Sequence, residues 1–361
     1  MEVAELNRAV TNGKPLDRSD ETTRTPVKRK GLFVLRPYWF ERVYAPEDRQ
    51  LLRSRVDIPD QAFTPVEVRE NPELLRDVEL LFSGWDGGKL DTHFLDAAPH
   101  LKAVFFGGGS VRNYVTEAFW ERDIILTSAA PANAVPVAEF TFAQIILALK
   151  QAWPQSRDFH LTQESPQYVP GQRDMPGAYQ TTIGIVSLGH IGRRVREMLR
   201  MLDVHVLAYD PFVSEGMAAK LDVELVSLDE LFRRSEVVSI HTPLLAETEG
   251  FITGNLIGKM KAGAALINTA RGAIINEPQM IDTLRQRPDL TALLDVTARD
   301  PLEKNSPLFS MPNIFLTPHI AGSLNRECRR MGRSMIEEAE RFLNGAPLHW
   351  VITQQTASIL A

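Results

Sequence analysis

The chain has 361 residues, of which 44% are hydrophobic and 24% charged, a length and composition that suit about two globular domains. Its formal net charge of −6 argues against a general nucleic-acid-binding surface, and its one cysteine, Cys328, excludes an internal disulfide. We find no apolar run long enough to cross a bilayer and no signal-peptide core, so we expect a cytoplasmic protein without a membrane partner.

The first half of the chain alternates short apolar runs with polar segments. Residues 1–30 are polar and predict a mobile tail. The apolar runs, which we interpret as strands, cover residues 31–36, 78–82, 101–106 and 124–127. Such alternation predicts a parallel sheet, whose ligands lie beyond the carboxyl ends of the strands. Residues 131–139 then lead into a helix over residues 140–150 that is apolar on most sides and therefore buried.

Three successive glycines follow the third of these strands. Gly107, Gly108 and Gly109 expose backbone N–H groups without side chains in the way, which suits a carboxylate. A flexible turn would account for the same run equally well, so these residues alone leave both interpretations open.

Residues 182–210 have the order strand, glycine turn, helix and strand. An apolar run enters a turn that contains Gly189 and Gly192, a helical pattern follows, and a second apolar run ends on Asp210. The glycines would let the backbone approach a pyrophosphate, and the helix N-terminus would supply N–H groups to it. Asp210 suits hydrogen bonds from an adenosine ribose. The stretch predicts a dinucleotide site, although Ser187 stands where the first glycine of the pattern is usual.

Polar residues follow several apolar runs in the second half of the chain. Arg271, Asp300 and His319 each have an ordinary explanation when taken alone: a surface arginine, a turn residue before proline and a loop histidine. Together they supply a forked donor for a carboxylate, an acid, and a proton carrier near neutral pH. This combination indicates acid–base chemistry, and no metal site is predicted.

Eight motifs in order resemble the D-2-hydroxyacid dehydrogenase family. They are VAE at 137–139, GIVSLGHIG at 184–192, YDP at 209–211, HTPL at 241–244 with Thr248, MKAG at 260–263, NTARG at 268–272, LDV at 294–296 and TPHIAG at 317–322. The resemblance implies an α/β fold of two Rossmann-like, doubly wound parallel-sheet domains, with the cofactor domain inserted in the substrate domain. It places the substrate-binding domain at residues 31–130 and 321–361 and the NAD-binding domain at residues 131–320. It also implies a homodimer, with the helix after Pro136 in the interface.

The same resemblance implies roles for individual residues. Arg271 falls on the family's catalytic arginine, His319 on its acid–base histidine, and Asp300 on an acid that is usually glutamate. Because aspartate is shorter by about 1.5 Å, we expect its hydrogen bond to His319 to need a backbone shift or a water. The residues expected to contact NAD are Gly108, Gly189, His190 (where arginine is commoner), Ile191, Gly192, Asp210, Thr242, Pro243, Thr269, Ala270, Asp295, His319 and Gly322. The residues expected to contact substrate are Gly108, Gly109, Arg271 and His319.

The activity implied by the resemblance is the reduction of a small 2-keto acid to a D-2-hydroxy acid. The carboxylate would bind to the glycine N–H groups and Arg271, NADH would give hydride to C2, and protonated His319 would give a proton to the keto oxygen. Asp210 favours NAD over NADP because it would repel a 2′-phosphate, and residues 211–214 contain no cation to receive one.

Two alternatives belong to other functional classes. An NAD(H)-sensing regulator or corepressor-like binding protein could keep the same fold and residues with little turnover, because a fold does not determine a function. A formate-type dehydrogenase is disfavoured, since its reaction needs no acid–base proton transfer and would leave Asp300 and His319 without a role.

Overall fold

The structure is a computed structural model that describes residues 28–163 and 175–359. It contains two mainly parallel β-sheets. The strands are β1 (Gly31–Val34), β2 (Ala62–Phe63), β3 (Leu80–Gly84), β4 (Ala103–Gly107), β5 (Ile125–Ser128), β6 (Tyr179–Val186), β7 (Asp203–Tyr209), β8 (Glu224–Leu225), β9 (Val237–Ile240), β10 (Ala265–Asn268), β11 (Thr291–Leu294), β12 (Ile314–Leu316) and β13 (Val351–Ile352). The helices are α1 (Pro37–Val43), α2 (Pro46–Arg55), α3 (Pro65–Glu70), α4 (Thr92–Ala97), α5 (Glu117–Trp120), α6 (Ala130–Leu149), α7 (Ala152–Thr162), α8 (His190–Leu199), α9 (Glu215–Leu221), α10 (Leu228–Arg234), α11 (Gly254–Gly258), α12 (Glu277–Gln286), α13 (Cys328–Leu343) and α14 (Gln354–Ile359).

The first sheet has the strand order β13-β5-β4-β3-β1-β2, in which β13 is antiparallel to β5 and the other pairs are parallel. Every residue of β1, β3 and β4 is buried, because apolar clusters cover both faces of the sheet. One cluster includes side chains of α1, α2 and α13, and the other includes side chains of α4 and α5. The strand order reverses between β1 and β3, which is where an open α/β sheet forms its ligand crevice.

The second sheet has the order β12-β11-β10-β9-β6-β7-β8 and is parallel throughout. Side chains of α6 and α8 cover one face, and those of α10, α11 and α12 cover the other. Its strand order reverses between β6 and β9, so the crevice of this sheet lies beside the turn that follows β6. The predicted fold class, two doubly wound α/β units, is confirmed.

The chain crosses between the two sheets twice. It leaves the first sheet after β5, forms the whole second sheet from β6 to β12, and returns through α13, which packs against α1 and β4. The second unit is therefore inserted in the first, as predicted; the individual boundaries at residues 130 and 321 stay predictions. Residues 1–27 of the predicted tail lie outside the described residues, and Lys30 already forms a parallel bridge with Asp57.

Helix α6 begins ten residues before the predicted start at Phe140 and contains Pro136 in its interior. A proline inside a helix removes one backbone hydrogen bond, which is why the sequence pattern favoured a later start. The helix continues through Pro136 because it packs against α8, α13, β9 and β10, and this tertiary contact outweighs the local preference.

The full length of α6 also corrects the expectation that no apolar run could span a bilayer. An 18-residue window of this 20-residue helix has a mean hydropathy of 1.5, enough by length and composition alone, but 56% of that window is buried inside the protein. A core helix passes the same test, so the feature is weak evidence for a membrane.

Candidate active site

A cleft of about 800 Å³ lies between the two sheets, at the carboxyl ends of their strands. The first sheet contributes the segments after β3 and β4, and the second contributes those after β6, β9 and β10. The start of α6 and the segment before α13, where the chain crosses between the units, line the same cleft. Both switch points therefore face one shared space, which is where the fold places a ligand.

The turn after β6 has the geometry of a pyrophosphate cradle. An added Cβ at Gly189 would meet nothing within 4 Å, whereas one at Gly192 would lie 2.1 Å from the Ser187 carbonyl oxygen. The first helical N–H with a partner is that of Arg193, which donates to the Gly189 carbonyl at 3.1 Å. The N–H groups of the three preceding residues thus point out of the N-terminus of α8, where a phosphate can accept them.

Ser187 replaces the first glycine of the pattern and takes on its backbone conformation. Its φ of +75° lies in the left-handed region that favours glycine. The Ser187 hydroxyl meets the Thr242 hydroxyl at 3.1 Å, which joins the ends of β6 and β9 across the switch point.

Asp210 directly follows β7 and supports the turn between β6 and α8. Its carboxylate accepts hydrogen bonds from the N–H groups of Leu188, at 2.7 Å, and Phe212, at 2.9 Å. A ribose hydroxyl can still bind to the remaining lone pairs, because each carboxylate oxygen accepts more than one hydrogen bond. Asp210 thus holds the turn of the pyrophosphate cradle in place and also offers the predicted acceptor for a ribose hydroxyl.

Five further predicted cofactor residues line the cleft: Ile191 in the first turn of α8, Thr242 and Pro243 after β9, and Thr269 and Ala270 after β10. The Thr269 hydroxyl is directed towards α6, where it meets the Thr141 hydroxyl at 2.9 Å. His190 also lines the cleft, and desolvation together with Arg194 and Arg193 lowers its pKa. A neutral His190 leaves the positive charge at this end of the cleft to the helix N-terminus and the arginines.

Arg271 projects from the end of β10 into the cleft. Its guanidinium donates to the Ala270 carbonyl at 2.7 Å, and burial lowers its pKa. Within the described residues it forms no ion pair with a carboxylate. A partly desolvated guanidinium with unused donors is suited to a carboxylate ligand, which would compensate its charge.

His319 and Asp300 are in direct contact. The His319 Nδ1 lies 2.9 Å from the Asp300 Oδ2, so of the two expected ways to bridge the shorter acid, a backbone shift or a water, the water is not needed. The loop after β11 brings the carboxylate close enough. The two side chains are 51% and 61% exposed, so the pair faces an open, solvated cleft.

Asp295 fixes the segment that carries His319. Its carboxylate accepts from the Thr317 hydroxyl at 2.6 Å and from the N–H groups of Ile320 and Ala321 at 2.9 Å each. This buried carboxylate lines the cleft, but its hydrogen bonds hold the protein's own loop. Asp295 therefore positions the loop that carries His319, and the expected contact with the cofactor would be a second role.

The triglycine loop presents free donors. The Ser128 hydroxyl donates to the carbonyls of Gly108, at 3.2 Å, and Gly109, at 2.7 Å. The N–H groups of Gly108 and Gly109 have no acceptor in the described part of the chain. Gly108 is buried, and a buried N–H without a partner is uncommon in proteins, which points to a ligand that supplies the acceptor.

Four predicted residues, Gly108, Gly192, Asp210 and Asp300, do not line the cleft themselves. Gly192 and Asp210 shape the turn after β6, and Asp300 contacts the cleft residue His319. Gly109 and Gly322 lie in the lining as predicted. Among residues 28–163 and 175–359, no group of three or more His, Cys, Asp or Glu side chains could hold a metal ion.

Sequence reasoning missed Asn133 and the aromatic side of the cleft. Asn133, at the start of α6, accepts from the Ser323 N–H at 3.0 Å, and both residues line the cleft beside Gly109. It therefore ties together the two points where the chain crosses between the units. Trp39 and Trp85 also line the cleft. No local sequence pattern signalled Asn133 or these two tryptophans.

Comparison with known proteins gives a consistent assignment. Residues 144–321 match the family model "D-isomer specific 2-hydroxyacid dehydrogenase, NAD binding domain". The chain is 33% identical over 256 residues to the (S)-sulfolactate dehydrogenase of Chromohalobacter salexigens, covering 71% of this chain and 82% of that protein. It is 30% identical over 260 residues to the D-3-phosphoglycerate dehydrogenase of Archaeoglobus fulgidus, covering 72% of this chain and 49% of that protein. The chain thus spans about half the length of the phosphoglycerate dehydrogenases that it matches.

A solved structure supports the fold. The phosphoglycerate oxidoreductase from Rhizobium etli superposes with a TM-score of 0.78 at 19% identity, covering 92% of this chain and 100% of that one.

Proposed function

Because the chain belongs to the D-isomer specific 2-hydroxyacid dehydrogenase family, we propose that it transfers a hydride between a nicotinamide dinucleotide and a small 2-keto or 2-hydroxy acid of D configuration. The observation that carries the proposal is the convergence of three features on one cleft: the cradle at α8, the His319–Asp300 pair, and Arg271 beside the triglycine loop. The residues that would bind the cofactor fit a dinucleotide, since the N–H groups before Arg193 are free and Gly189 leaves open space.

The carboxylate of the keto acid would bind between the two units. Gly108 and Gly109 offer N–H groups without acceptors, and Arg271 offers guanidinium donors without an ionic partner. Hydrogen bonds to charged groups in a desolvated site are stronger than neutral ones, so the carboxylate orients the substrate. Arg271 can also donate to the keto oxygen, where negative charge develops during reduction.

The proton would move through His319. Its Nδ1 is next to the Asp300 carboxylate, so a neutral ring with its proton on Nδ1 leaves Nε2 as an acceptor, and a protonated ring carries a second proton on Nε2. In reduction, a bound nicotinamide would supply the hydride to C2, and His319 Nε2 would give its proton to the keto oxygen. Closure of the cleft would exclude water from these groups.

The test is steady-state oxidation of NADH with a panel of 2-keto acids, together with direct titration of NADH. Wild type should bind NADH and turn over at least one acid, whereas His319→Gln should bind NADH with little turnover. Binding of NADH by wild type without turnover of any acid would favour the NAD(H)-sensing regulator instead.

We propose NAD rather than NADP as the cofactor. The Asp210 carboxylate lies at the end of β7, beside the cradle, and would repel a 2′-phosphate. Residues 211–214 supply no cation to compensate. The value of kcat/KM with NADH should exceed that with NADPH, and Asp210→Ser should narrow the difference. A preference of wild type for NADPH would contradict this assignment.

We also propose a homodimer formed through α6 and α7. Phe159 and Leu161 on α7 are 48% and 76% exposed, and Phe140 on α6 and Trp153 on α7 line a cavity of about 240 Å³. Exposed apolar side chains favour an interface. Light scattering should give a dimer for wild type and for the control Val66→Ser, but a monomer for the double substitution Phe159→Ser, Leu161→Ser. The cytoplasmic location, without nucleic-acid or membrane partners, stays a prediction from composition.

A further inference from the structure

Aromatic rings form one side of the cleft, against the glycine that would hold the substrate carboxylate. An added Cβ on Gly108 would lie 3.2 Å from the Trp85 Cδ1 and 2.7 Å from the Phe106 ring. Both rings thus pack against Gly108, and both line the cleft. The next residue, Gly109, lines the cleft, so a keto acid bound to its N–H by its carboxylate would place its side chain near these rings, because only the C2 carbon separates the two groups.

The rings are held in place by their neighbours. Trp85 packs edge-to-face on Trp39 with ring centroids 4.8 Å apart, and the Trp39 Nε1 donates to the Asp86 carboxylate at 3.2 Å. Phe106 packs on Tyr114 with centroids 4.4 Å apart. All four rings line the cleft, and we call them the aromatic wall. A fixed wall favours a bound apolar group because few rotamers are lost on binding.

The aromatic wall lies at the switch point of the first sheet. Trp39 follows β1 through the start of α1, and Trp85 follows β3, the two strands between which the order reverses. Open α/β sheets bind ligands at this point, which makes the wall part of the ligand crevice.

Few charged side chains line the cleft on the side of the aromatic wall. Within the described residues, Lys89 is the one lysine or arginine in the cleft lining besides Arg271, and the carboxylate of Asp86 lies on the same loop. The Arg112 guanidinium donates to the Leu244 carbonyl and lines a cavity of about 500 Å³ that Glu249 also lines and that shares Arg271 with the cleft. The wall itself therefore offers ring faces, with Lys89 as a cation in the same lining and Asp86 paired with Arg36 at 3.8 Å.

Resting on the function proposed above, we propose that the substrate is a 2-keto acid with an aromatic or large apolar side chain, and that Trp85 and Trp39 determine this specificity. Removal of a packed aromatic wall reduces transition-state stabilisation only for substrates that touch the wall. Substitution of the wall should therefore change the substrate preference without changing how the 2-keto acid group is bound and reduced.

The experiment compares kcat/KM for phenylpyruvate, pyruvate and 3-phosphohydroxypyruvate at saturating NADH. Wild type should prefer phenylpyruvate over both others by about tenfold or more. Trp85→Ala should lose about tenfold or more with phenylpyruvate and less than about threefold with pyruvate. Trp85→Phe, which keeps a ring, should retain most of the preference. The matched control is Trp120→Ala, a half-buried tryptophan on α5 outside the cleft lining, which should leave the preference unchanged.

The outcomes separate the two proposals. A wild type that reduces pyruvate or the phosphorylated acid as well as or better than phenylpyruvate overturns this inference and leaves the proposed function standing. Equal losses with all substrates in Trp85→Ala, at unchanged thermal stability, also overturn it. Failure to reduce any of the three acids, or any other 2-keto acid, overturns the proposed function itself.

Discussion

Arg271 combines a partly desolvated charge with unused donors, because its guanidinium makes one hydrogen bond with the described residues, to the Ala270 carbonyl. Arg271→Lys keeps the charge but loses the planar fork. We expect the KM for the keto acid to rise and kcat to fall, with kcat/KM reduced by about 10- to 100-fold and NADH affinity nearly unchanged.

The control for this prediction is Arg122→Lys, an arginine of the first unit that binds the Leu95 carbonyl and Asp96 and lies outside the cleft lining. It should leave both constants unchanged. Wild-type kcat/KM in Arg271→Lys would remove the guanidinium from carboxylate recognition.

Asp300 contacts His319 across an exposed part of the cleft, where an ion pair adds little to stability. The role of Asp300 would lie in the reaction, where the carboxylate orients the His319 ring and stabilises the charged form of that ring. Asp300→Asn should lower kcat for reduction by about tenfold or more without changing NADH affinity. Asp300→Glu, which restores the residue usual in the family, should keep more activity than Asp300→Asn. If the asparagine variant keeps the wild-type kcat, Asp300 is only the turn residue before Pro301.

At the scale of an element, the turn between β6 and α8 tolerates serine where glycine is usual. Ser187 has a positive φ, which costs about 1 kcal/mol for a non-glycine residue. Its hydroxyl contact with Thr242 and the lower entropy of a serine chain in the unfolded state offset part of this cost. Ser187→Gly should therefore change NADH affinity by less than about tenfold.

The comparison variant for this turn is Gly192→Ala, whose Cβ would lie 2.1 Å from the Ser187 carbonyl oxygen. It must push α8 away from the turn, so NADH affinity and the thermal midpoint should both fall. A gain of about a hundredfold in NADH affinity for Ser187→Gly would show that the serine distorts the cradle.

At the scale of the whole molecule, the stability of the second unit should depend on pH through His241. This histidine is 7% exposed at the end of β9, its Nε2 meets the Ser239 hydroxyl at 3.0 Å, and its Nδ1 has no partner in the described part of the chain. Burial lowers its pKa from 6.5 to about 3. Between these two pKa values the unfolded chain binds a proton that the folded protein does not. The free energy of unfolding therefore decreases as the pH falls below 6.5, the ordinary pKa of histidine.

Between about pH 7 and about pH 5, His241 should account for a loss of about 2 kcal/mol of unfolding free energy. His241→Asn should flatten this part of the pH dependence, whatever it does to stability at neutral pH. The measurement is urea unfolding at several pH values, with the exposed His100→Gln as control. An unchanged slope in His241→Asn would contradict the assignment.

Local physics explains which features were predictable from the sequence. The alternation of apolar runs and helical segments depends on periodicity within a few residues, and it sufficed for the fold class. The cradle depends on glycine conformations and on helix-terminal N–H groups, which are also local. Arg271, His319 and Asp300 could be found because strand ends of a parallel sheet share one edge. The motifs of the family resemblance then predicted their roles.

Contacts between distant segments decided the rest. Helix α6 continues through Pro136 because four packed elements support it, which no local preference reveals. Asn133 meets Ser323 across 190 residues, Trp85 faces Gly108 from a neighbouring strand, and the loop after β11 brings Asp300 directly to His319. Sequence periodicity reports which face of an element is buried, but not which residue of another element lies opposite. The sequence by itself therefore determined the fold class and the family motifs, and the tertiary structure alone decided the shape and lining of the cleft.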